Sequence, residues 1–311
     1  MTASSSFRTA HRLALATAAL MFGLIVLGSI VRTTGSGLAC PDWPLCEGRL
    51  IPRMQFNVLI EWGHRLVALI VGLGLLGTLV LTMLRPELRA RLGALAGLAL
   101  LLYVVQALLG ALTVWKLLDP GIVGGHLAVA LLLFCTLLTY TSVAGQEADG
   151  GPSPESPTRP AGLLPTLIVA TGLTYAQCVL GGIVSTHHAG LACPDWPGCN
   201  GELFPRLEGL VGLQMLHRYG AYLLTGFILF SSVRTRVAPD AGIRAGAPIL
   251  LSLTVAQVVL GVCNVFLGTP WWLSAIHLAT AATMLAVALT LTFRAASLPA
   301  ARATFTTVAA R

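Results

Sequence analysis

The chain has 311 residues, of which 56% are hydrophobic and only 10% are charged. Soluble domains contain about 25% charged residues, so this composition excludes a soluble globular protein and indicates an integral membrane protein. The formal net charge of +7 does not indicate nucleic-acid binding, because the basic residues lie at the ends of apolar segments and form no Lys/Arg run that would follow a phosphate backbone.

Eight apolar segments follow one another along the chain, each about as long as the roughly 20 residues that cross a bilayer as a helix. They cover approximately residues 13–31, 58–84, 93–115, 122–143, 163–184, 209–231, 246–267 and 272–293. Each segment is apolar on every face, whereas the strands of a membrane β-barrel alternate in polarity. The sequence therefore predicts an all-α integral membrane protein with eight transmembrane helices.

The basic residues indicate how these segments are oriented in the membrane. If the chain crosses eight times, most arginines fall on one side, and the opposite loops contain only Arg49, Arg53, Lys116 and Arg206. The positive-inside rule then places both termini in the cytoplasm and the loops at 33–57, 116–121, 185–208 and 268–271 outside. We expect a multi-pass protein of a bacterial plasma membrane.

The two halves of the chain are duplicates. Residues 37–44 read GLACPDWP and recur unchanged at 190–197, and His64-Arg65 recurs as His217-Arg218 at the same offset of 153. Each half has four segments, and an even number makes the two copies parallel. We predict two four-helix bundles related by a pseudo-two-fold axis along the membrane normal. The halves are 1–144 and 163–311, joined by a cytoplasmic linker at 145–162 that is rich in Pro, Gly and Ser.

Each even-numbered segment contains one histidine, roughly 10 Å below the outer surface at a helical rise of about 1.5 Å per residue. These residues are His64, His126, His217 and His277. Two imidazoles at matching depth in a four-helix unit are the arrangement that binds haem iron from both sides. Ionisable groups inside a membrane are also costly enough to indicate a function. We predict one haem site per half, with packed structural histidines as the alternative.

One acidic residue distinguishes the halves. Glu61 precedes His64 by three residues and shares its helical face, whereas the matching residue of the second half is the neutral isostere Gln214. Acid–base or cation-stabilising chemistry is therefore predicted for the first half alone. The alternative is an interfacial glutamate whose carboxylate reaches water near a helix end.

A shorter pattern, Gln-x-x-Leu-Gly, recurs in three odd-numbered segments and ends at Gly110, Gly181 and Gly261. The first segment has Leu24 in place of the glutamine and ends at Gly28. Glycine allows close packing of membrane helices, and this interpretation is preferred over a cofactor role. The glutamine amides need hydrogen-bond partners, which a neighbouring helix or a ligand can supply.

Two cysteine pairs lie in the outer loops, Cys40 with Cys46 and Cys193 with Cys199. An oxidising outer compartment favours disulfides, and the Pro-Asp-Trp-Pro turn between the thiols can bring them together. A zinc site fits less well, because four thiolates would have to come from two loops of different halves. Whether each pair is structural or redox-active is left open.

Two arginines, Arg65 and Arg218, directly follow histidines at the outer helix ends. Their guanidinium groups are candidates for pairing with haem propionates. Interfacial anchoring is the commoner use of arginine at such positions. His187 and His188, beside the second cysteine pair, have no counterpart in the first loop and are assigned no role.

In these features the sequence resembles the haem A synthases of bacterial and mitochondrial respiratory chains over nearly its whole length. The resemblance rests on eight segments in two parallel halves, the sequence EWGHR at 61–65, the histidines His126, His217 and His277, and the paired Cys-Pro-Asp-Trp-Pro loops. It implies oxidation of the C8 methyl of haem O to the formyl group of haem A, through a hydroxymethyl intermediate, to supply cytochrome oxidase.

The resemblance also implies different tasks for the two halves. His217 and His277 would bind a resident haem b that relays electrons, and His64 and His126 would receive haem O, with Glu61 beside its reacting edge. If both imidazoles bind the substrate iron, either one histidine releases it or the oxygen atom comes from water after electron removal.

The cysteine loops and the partners complete what the resemblance implies. Cys40 and Cys46 would act in turnover or haem transfer, and the second pair would be mainly structural, although the near identity of the two loops leaves this division open. The implied partners are the farnesyltransferase that makes haem O from protohaem, cytochrome oxidase assembly factors and membrane lipid. Association with a second copy of the chain is left open.

Other classes of function compete with this interpretation. A two-haem electron carrier would use the same four histidines without modifying either haem. A quinone-linked thiol oxidase would place the chemistry on the loop cysteines, but it leaves the buried histidines without a role, and Cys-x5-Cys is wider than the usual Cys-x-x-Cys. A parallel-repeat transporter is disfavoured, because the segments lack the Pro and Gly interruptions expected at its substrate site.

Overall fold

The computed structural model describes residues 3–53, 55–151 and 157–300, and regular structure within them is helical. Eight long helices follow the order of the predicted segments, with one short 3-10 turn at Ala189–Leu191 before α6. Their bounds are α1 Ala3–Thr33, α2 Phe56–Leu84, α3 Pro86–Trp115, α4 Pro120–Ala148, α5 Leu163–Thr186, α6 Gly209–Thr235, α7 Ala241–Phe266 and α8 Trp271–Ser297. The all-α prediction is confirmed.

Several helices extend beyond the apolar segments that predicted them. α1 begins at Ala3 and α3 at Pro86, where proline at the first position is pre-organised for a helix. α4 continues to Ala148, so the first residues of the predicted linker at 145–162 are helical. Backbone hydrogen bonding continues past the apolar part of a helix, and hydropathy does not detect these polar ends.

Seven of the eight long helices are long and apolar enough to cross a membrane, and α6 is not among them. α6 has 27 residues, which is a sufficient length, but Gln214, His217 and Arg218 lie in its first half and reduce its apolar character. The chain is a multi-pass membrane protein. The crossing by α6 remains a prediction.

The helices form two four-membered rings. In the first ring α1 contacts α2 and α4, and α3 closes the ring by contacting the same two helices; α5 to α8 repeat this order. The rings meet where α1 and α4 pack against α8 and where α4 packs against α5. A single buried cluster joins them, and it contains Met21, Leu131, Phe134, Cys178 and Leu285.

Candidate functional site

A cavity of about 1270 Å³ lies inside the helix rings and is lined by side chains from both halves. Binding sites for small molecules are usually about 300–1000 Å³, so this cavity exceeds the usual range for one such ligand. The residues predicted as ligands all line it: His64, His126, His217 and His277. The structure therefore brings the four predicted histidines to one connected space.

The histidines are arranged as two pairs. Each lies on an even-numbered helix, about two turns after the first residue of that helix. The cysteine loops precede α2 and α6, and shorter loops precede α4 and α8. His64 is close enough to His126 for electrostatic interaction, and His217 is equally close to His277. Each pair thus belongs to one ring, as the predicted sites require.

A glycine on the preceding helix makes room for each imidazole ring. A Cβ atom added at Gly28 would lie 3.2 Å from Cε1 of His64, and one at Gly181 would lie 2.9 Å from Cε1 of His217. Gly110 and Gly261 face His126 and His277 in the same way, at 3.4 and 3.2 Å. The recurring glycine of the Gln-x-x-Leu-Gly pattern therefore serves close packing, and what it packs against is the histidine.

Replacing Gly181 with alanine tests this packing, with Gly172 on the same helix as the matched position. An added Cβ at Gly172 meets no atom within 4 Å, so Gly172→Ala should only gain about 0.5–1 kcal/mol of helix stability. Gly181→Ala should displace the His217 ring at an overpacking cost of about 1–3 kcal/mol. We expect bound haem per chain to fall in Gly181→Ala alone. Equal haem content in the two variants would contradict the assignment.

The glutamines of the same pattern bind the backbone of the histidine helices. Nε2 of Gln177 donates to the carbonyl oxygen of His217 at 2.8 Å and lies 3.0 Å from Nδ1 of that residue. Nε2 of Gln257 donates to the carbonyl oxygen of His277 at 3.0 Å. A neighbouring helix therefore satisfies these amides. α1 has no such contact at this position, because Leu24 replaces the glutamine.

The surroundings of the imidazoles fit a haem ligand set. Nδ1 of His64, His126 and His277 is buried without a hydrogen-bond partner, as is Oε1 of Gln257, whose amide already touches the backbone of His277. A metal-bound imidazole ordinarily donates its other ring nitrogen to such an acceptor. Among the described residues, no group of three or more His, Cys, Asp or Glu can hold a bare metal ion. Paired histidines in an apolar cavity instead suit a metal that arrives in a macrocycle.

Glu61 is buried, with 4% of its surface exposed, and lines the cavity. Its Oε2 accepts the backbone N–H of Cys40 at 2.7 Å, and its Oε1 pairs with Nη2 of Arg65 at 2.5 Å. The carboxylate therefore connects helix α2 to the first cysteine loop. A buried carboxyl group needs such a partner and such hydrogen bonds to offset the cost of leaving water.

The second half lacks this arrangement at the matching position. Nε2 of Gln214 donates to the carbonyl oxygen of Gly190 at 3.3 Å, and its Oε1 has no partner. The amide therefore binds the loop through a donor, whereas Glu61 binds it through an acceptor, Oε2. The difference in charge that the sequence shows is also a difference in contacts.

Arg65 and Arg218 hold the cysteine loops against the helices. Besides Glu61, the guanidinium group of Arg65 donates to the carbonyl oxygens of Cys40, Asp42 and Leu45, at 3.0, 2.6 and 2.5 Å. Arg218 makes the equivalent bonds to three carbonyl oxygens of the second loop, in Cys193, Asp195 and Gly198. Both arginines also line the cavity. Their pairing with haem propionates remains a prediction.

Both predicted cysteine pairs form disulfides. Cys40 bonds to Cys46 and Cys193 bonds to Cys199, each with a Cα–Cα distance of 4.7 Å. All four residues are buried, and Cys46 lines the cavity. The first disulfide thus borders the cavity that contains the first histidine pair, and the backbone N–H of Cys40 is bonded directly to Glu61.

An aspartate in each loop fixes the turn inside the disulfide. The carboxylate of Asp42 accepts the backbone N–H groups of Glu47 and Gly48 at 2.7 and 2.8 Å, and Asp195 accepts the two equivalent amides at 2.8 and 2.7 Å. The bond from Gly48, assisted by that from Glu47, lowers the pKa of Asp42 below its ordinary value. The carboxylate therefore stays ionised and the loop keeps its shape at neutral pH.

Sequence reasoning missed one contact between the halves. Nη2 of Arg32, at the end of α1, donates to the carbonyl oxygen of Ser185 and lies 3.5 Å from Nδ1 of His188. The sequence signal was present, since His188 has no counterpart in the first loop. His187 instead places Nδ1 at 2.9 Å from the carbonyl oxygen of Ile183 on its own helix.

Comparisons with known proteins agree with this site. Residues 11–289 match the family model described as cytochrome oxidase assembly protein, COX15-CtaA. A protein of Symbiobacterium thermophilum named heme A synthase is 34% identical over 79% of this chain and 82% of its own length. Proteins of the same name from Bacillus licheniformis and Methylobacterium radiotolerans are 31% and 29% identical, over 80% and 87% of this chain and 83% and 86% of their own lengths. The chain belongs to the COX15-CtaA family of cytochrome oxidase assembly proteins.

Proposed function

We propose that this chain is a haem A synthase, which oxidises the C8 methyl of haem O to the formyl group of haem A through a hydroxymethyl intermediate. The observation that carries the proposal is the pair of two-histidine sites in one cavity, of which, within the described part of the chain, only the first has a buried carboxylate beside it. Family membership and the curated relatives named heme A synthase support the same reaction.

The second half is proposed to bind the resident haem b through His217 and His277. Glycines 181 and 261 leave space for the two rings, and Gln177 and Gln257 bind the backbone at the two histidines. When bound, haem b supplies one-electron transfer between the substrate site and an external acceptor. Gln177 and Gln257 keep the two helices in register, so the imidazoles have fixed positions.

The first half is proposed to receive haem O between His64 and His126. Oxidation of a methyl group to a formyl group removes electrons and protons from one carbon, so a nearby base assists the reaction. Glu61 is the carboxylate that lines the cavity on the same helical face as His64. Arg65 pairs with one of its oxygens, and the Cys40 N–H group fixes the other. Glu61 would accept a proton from the substrate or stabilise positive charge on it.

The position of Leu24 supports this division of tasks. Three of the four histidine helices have a glutamine opposite, and the helix of His64 has leucine there. His64 thus lacks the amide that contacts the backbone at His217 and His277 of the resident site. Looser support of one ligand suits a site whose occupant must enter, react and leave.

We further propose that the halves, 1–144 and 163–311, are related by a pseudo-two-fold axis along the membrane normal. Two contacts join residues separated by about one repeat: Arg32 with Ser185, 153 residues apart, and Gln146 with Ser297, 151 apart. Equivalent residues can touch only near the symmetry axis. The first contact lies at the cysteine-loop end and the second at the opposite end, so they support an axis that runs along the helices.

The orientation and partners follow from the same proposal. With the positive-inside rule, both termini are cytoplasmic, the protein lies in the bacterial plasma membrane, and the disulfide loops face the oxidising side. The substrate is lipid-soluble and is made by protohaem farnesyltransferase, which is therefore an expected partner. Family membership in cytochrome oxidase assembly makes oxidase assembly factors the expected recipients of the product.

Chromatography of the extracted haems tests the proposed reaction. The full chain is expressed with and without a source of haem O, purified, and its haems are extracted and identified. We expect haem A or its hydroxymethyl precursor only when haem O is supplied. Recovery of unmodified haem b alone in both preparations would instead identify a two-haem electron carrier, and recovery of no haem would contradict the four-histidine assignment.

A further inference from the structure

The cavity reaches the surface of the first half between α2 and α3. Leu66 and Leu69 of α2 line the cavity, yet 39% and 56% of their surface is exposed. Ala107 of α3 lines the same cavity. Side chains that are exposed and also line a cavity mark its mouth. Both helices are candidate membrane spans, so the mouth opens toward lipid acyl chains.

Tyr103 closes the seam between the two helices on the side of the mouth away from the cysteine loop. Its hydroxyl donates to the carbonyl oxygen of Ala68 at 3.1 Å. The ring lies over Gly72, where an added Cβ would collide with the hydroxyl group. The mouth is thereby limited to the level of Leu66 and Leu69, within about two turns of His64 on the same helix.

The corresponding positions of the second half are tyrosines. The repeat offset of 153 relates Leu66 to Tyr219 and Leu69 to Tyr222. Tyr222 also lines the cavity and is 37% exposed, but here both phenol groups donate to carbonyl oxygens of the second cysteine loop, at 2.8 and 2.9 Å. A hydrogen-bonded side chain is less free to move aside than an aliphatic one without a polar partner. The two halves thus differ at the seam as well as at Glu61.

We propose that the mouth between α2 and α3 admits the isoprenoid tail of haem O and holds it during the reaction, whereas the seam between α6 and α7 excludes such a tail. This inference rests on the proposed function, since it concerns how that substrate binds. The tail distinguishes haem O from haem b. When the tail passes between Leu66, Leu69 and Ala107 it remains among apolar groups, and the macrocycle can reach His64 and His126 without burying the tail against polar loops.

The experiment transfers the tyrosines of the second half to the first. The full chain and the Leu66→Tyr/Leu69→Tyr variant are purified with the resident site filled, placed in lipid nanodiscs, and titrated with haem O and with haem b while haem absorbance is recorded. We expect the variant to bind haem O about tenfold more weakly or worse. Binding of haem b, which has no tail, should change by less than about twofold.

Three further measurements make the result specific. Leu73→Tyr introduces the same side chain on the same helix at a residue that is 60% exposed and lies outside the cavity lining, and it should bind both haems normally. The absorbance of the resident haem reports whether each variant is folded. Leu69→Ala, which widens the mouth and removes one apolar contact, should weaken haem O binding less than the double tyrosine variant does, which separates closure of the mouth from loss of a contact.

Two results would overturn the proposal. Equal weakening for haem O and haem b would show that the mouth serves the macrocycle, and unchanged haem O binding would show that the tail lies elsewhere. Both results are independent of turnover. Suppose that the chain formed no haem A at all. A preference for haem O over haem b, and its loss in the double tyrosine variant, would still be measurable. Failure of the proposed reaction and failure of the proposed mouth are therefore distinguishable.

Discussion

We expect Glu61→Gln to reduce haem A formation by about a hundredfold or more, because general acid–base groups commonly contribute about 10²–10⁴ in rate. The substitution removes the charge and keeps the size. A glutamine oxygen can still accept the Cys40 N–H group that Glu61 accepts at 2.7 Å, and Arg65 keeps its three bonds to loop carbonyls. The expected defect is therefore chemical, and bound haem b should be unchanged.

The second half supplies the control for this variant. Gln214 occupies the equivalent position beside Arg218, so a glutamine is compatible with this fold at that place. Gln214→Glu should leave haem A formation within about threefold of wild type, since a non-reacting site needs no base. Product is measured by chromatography of extracted haems, with haem b content from the same extract. Full activity in Glu61→Gln would refute a proton-transfer or charge role for this residue.

The helices and the histidine pairs were predictable from sequence for a physical reason. A span must be apolar over most of its length, so the helices appear as apolar segments, with α6 the least apolar of the eight, and a polar residue within one, such as His126, is conspicuous. The duplication then placed four histidines in two equivalent pairs. Helix ends were less predictable, as α1 and α4 show, because hydrogen bonding continues into polar residues that hydropathy does not detect.

The roles of Arg65, Asp42 and Gly181 were not predictable to the same extent. Sequence reasoning offered propionate pairing or interfacial anchoring for the arginine, and the structure shows it bound to loop carbonyls. That contact depends on how the loop folds back over α2. The glycine was correctly assigned to packing, but its neighbour, the His217 ring, lies on another helix. Spacing within one helix does not reveal which side chain faces it.

Exchange of the histidines for alanine should separate the two halves by phenotype. We expect His217→Ala and His277→Ala to lose resident haem b, with a fall in affinity larger than the roughly 10–100-fold that loss of an outer-shell partner alone costs. Without the relay they should also lose haem A formation. His64→Ala and His126→Ala should retain haem b and lose only product. Haem content per chain and extracted product, measured on each variant, give the comparison.

His187→Ala is the matched control, because His187 is an exposed histidine beside the second cysteine loop. Its Nδ1 contacts Oγ1 of Thr186 and the carbonyl oxygen of Ile183, both at the end of α5. It should retain haem b and product within about twofold. Loss of haem b in His64→Ala, with retention in His217→Ala, would reverse the assignment of the halves. Loss in all four variants would indicate that the histidines support the fold of the cavity as a whole.

Free imidazole distinguishes a ligand from a packing residue. His277→Gly empties the space that the imidazole ring occupies opposite Gly261. In the wild type, Cε1 of His277 lies 3.2 Å from where a Cβ atom added at Gly261 would stand. Added imidazole can occupy it and bind iron without a covalent link to the chain. We expect haem b binding and haem A formation to return together as imidazole is added. If His277 served packing alone, added imidazole should restore neither haem b binding nor haem A formation. The backbone of the variant would already have shifted, and a free ring cannot restore the lost helix contacts.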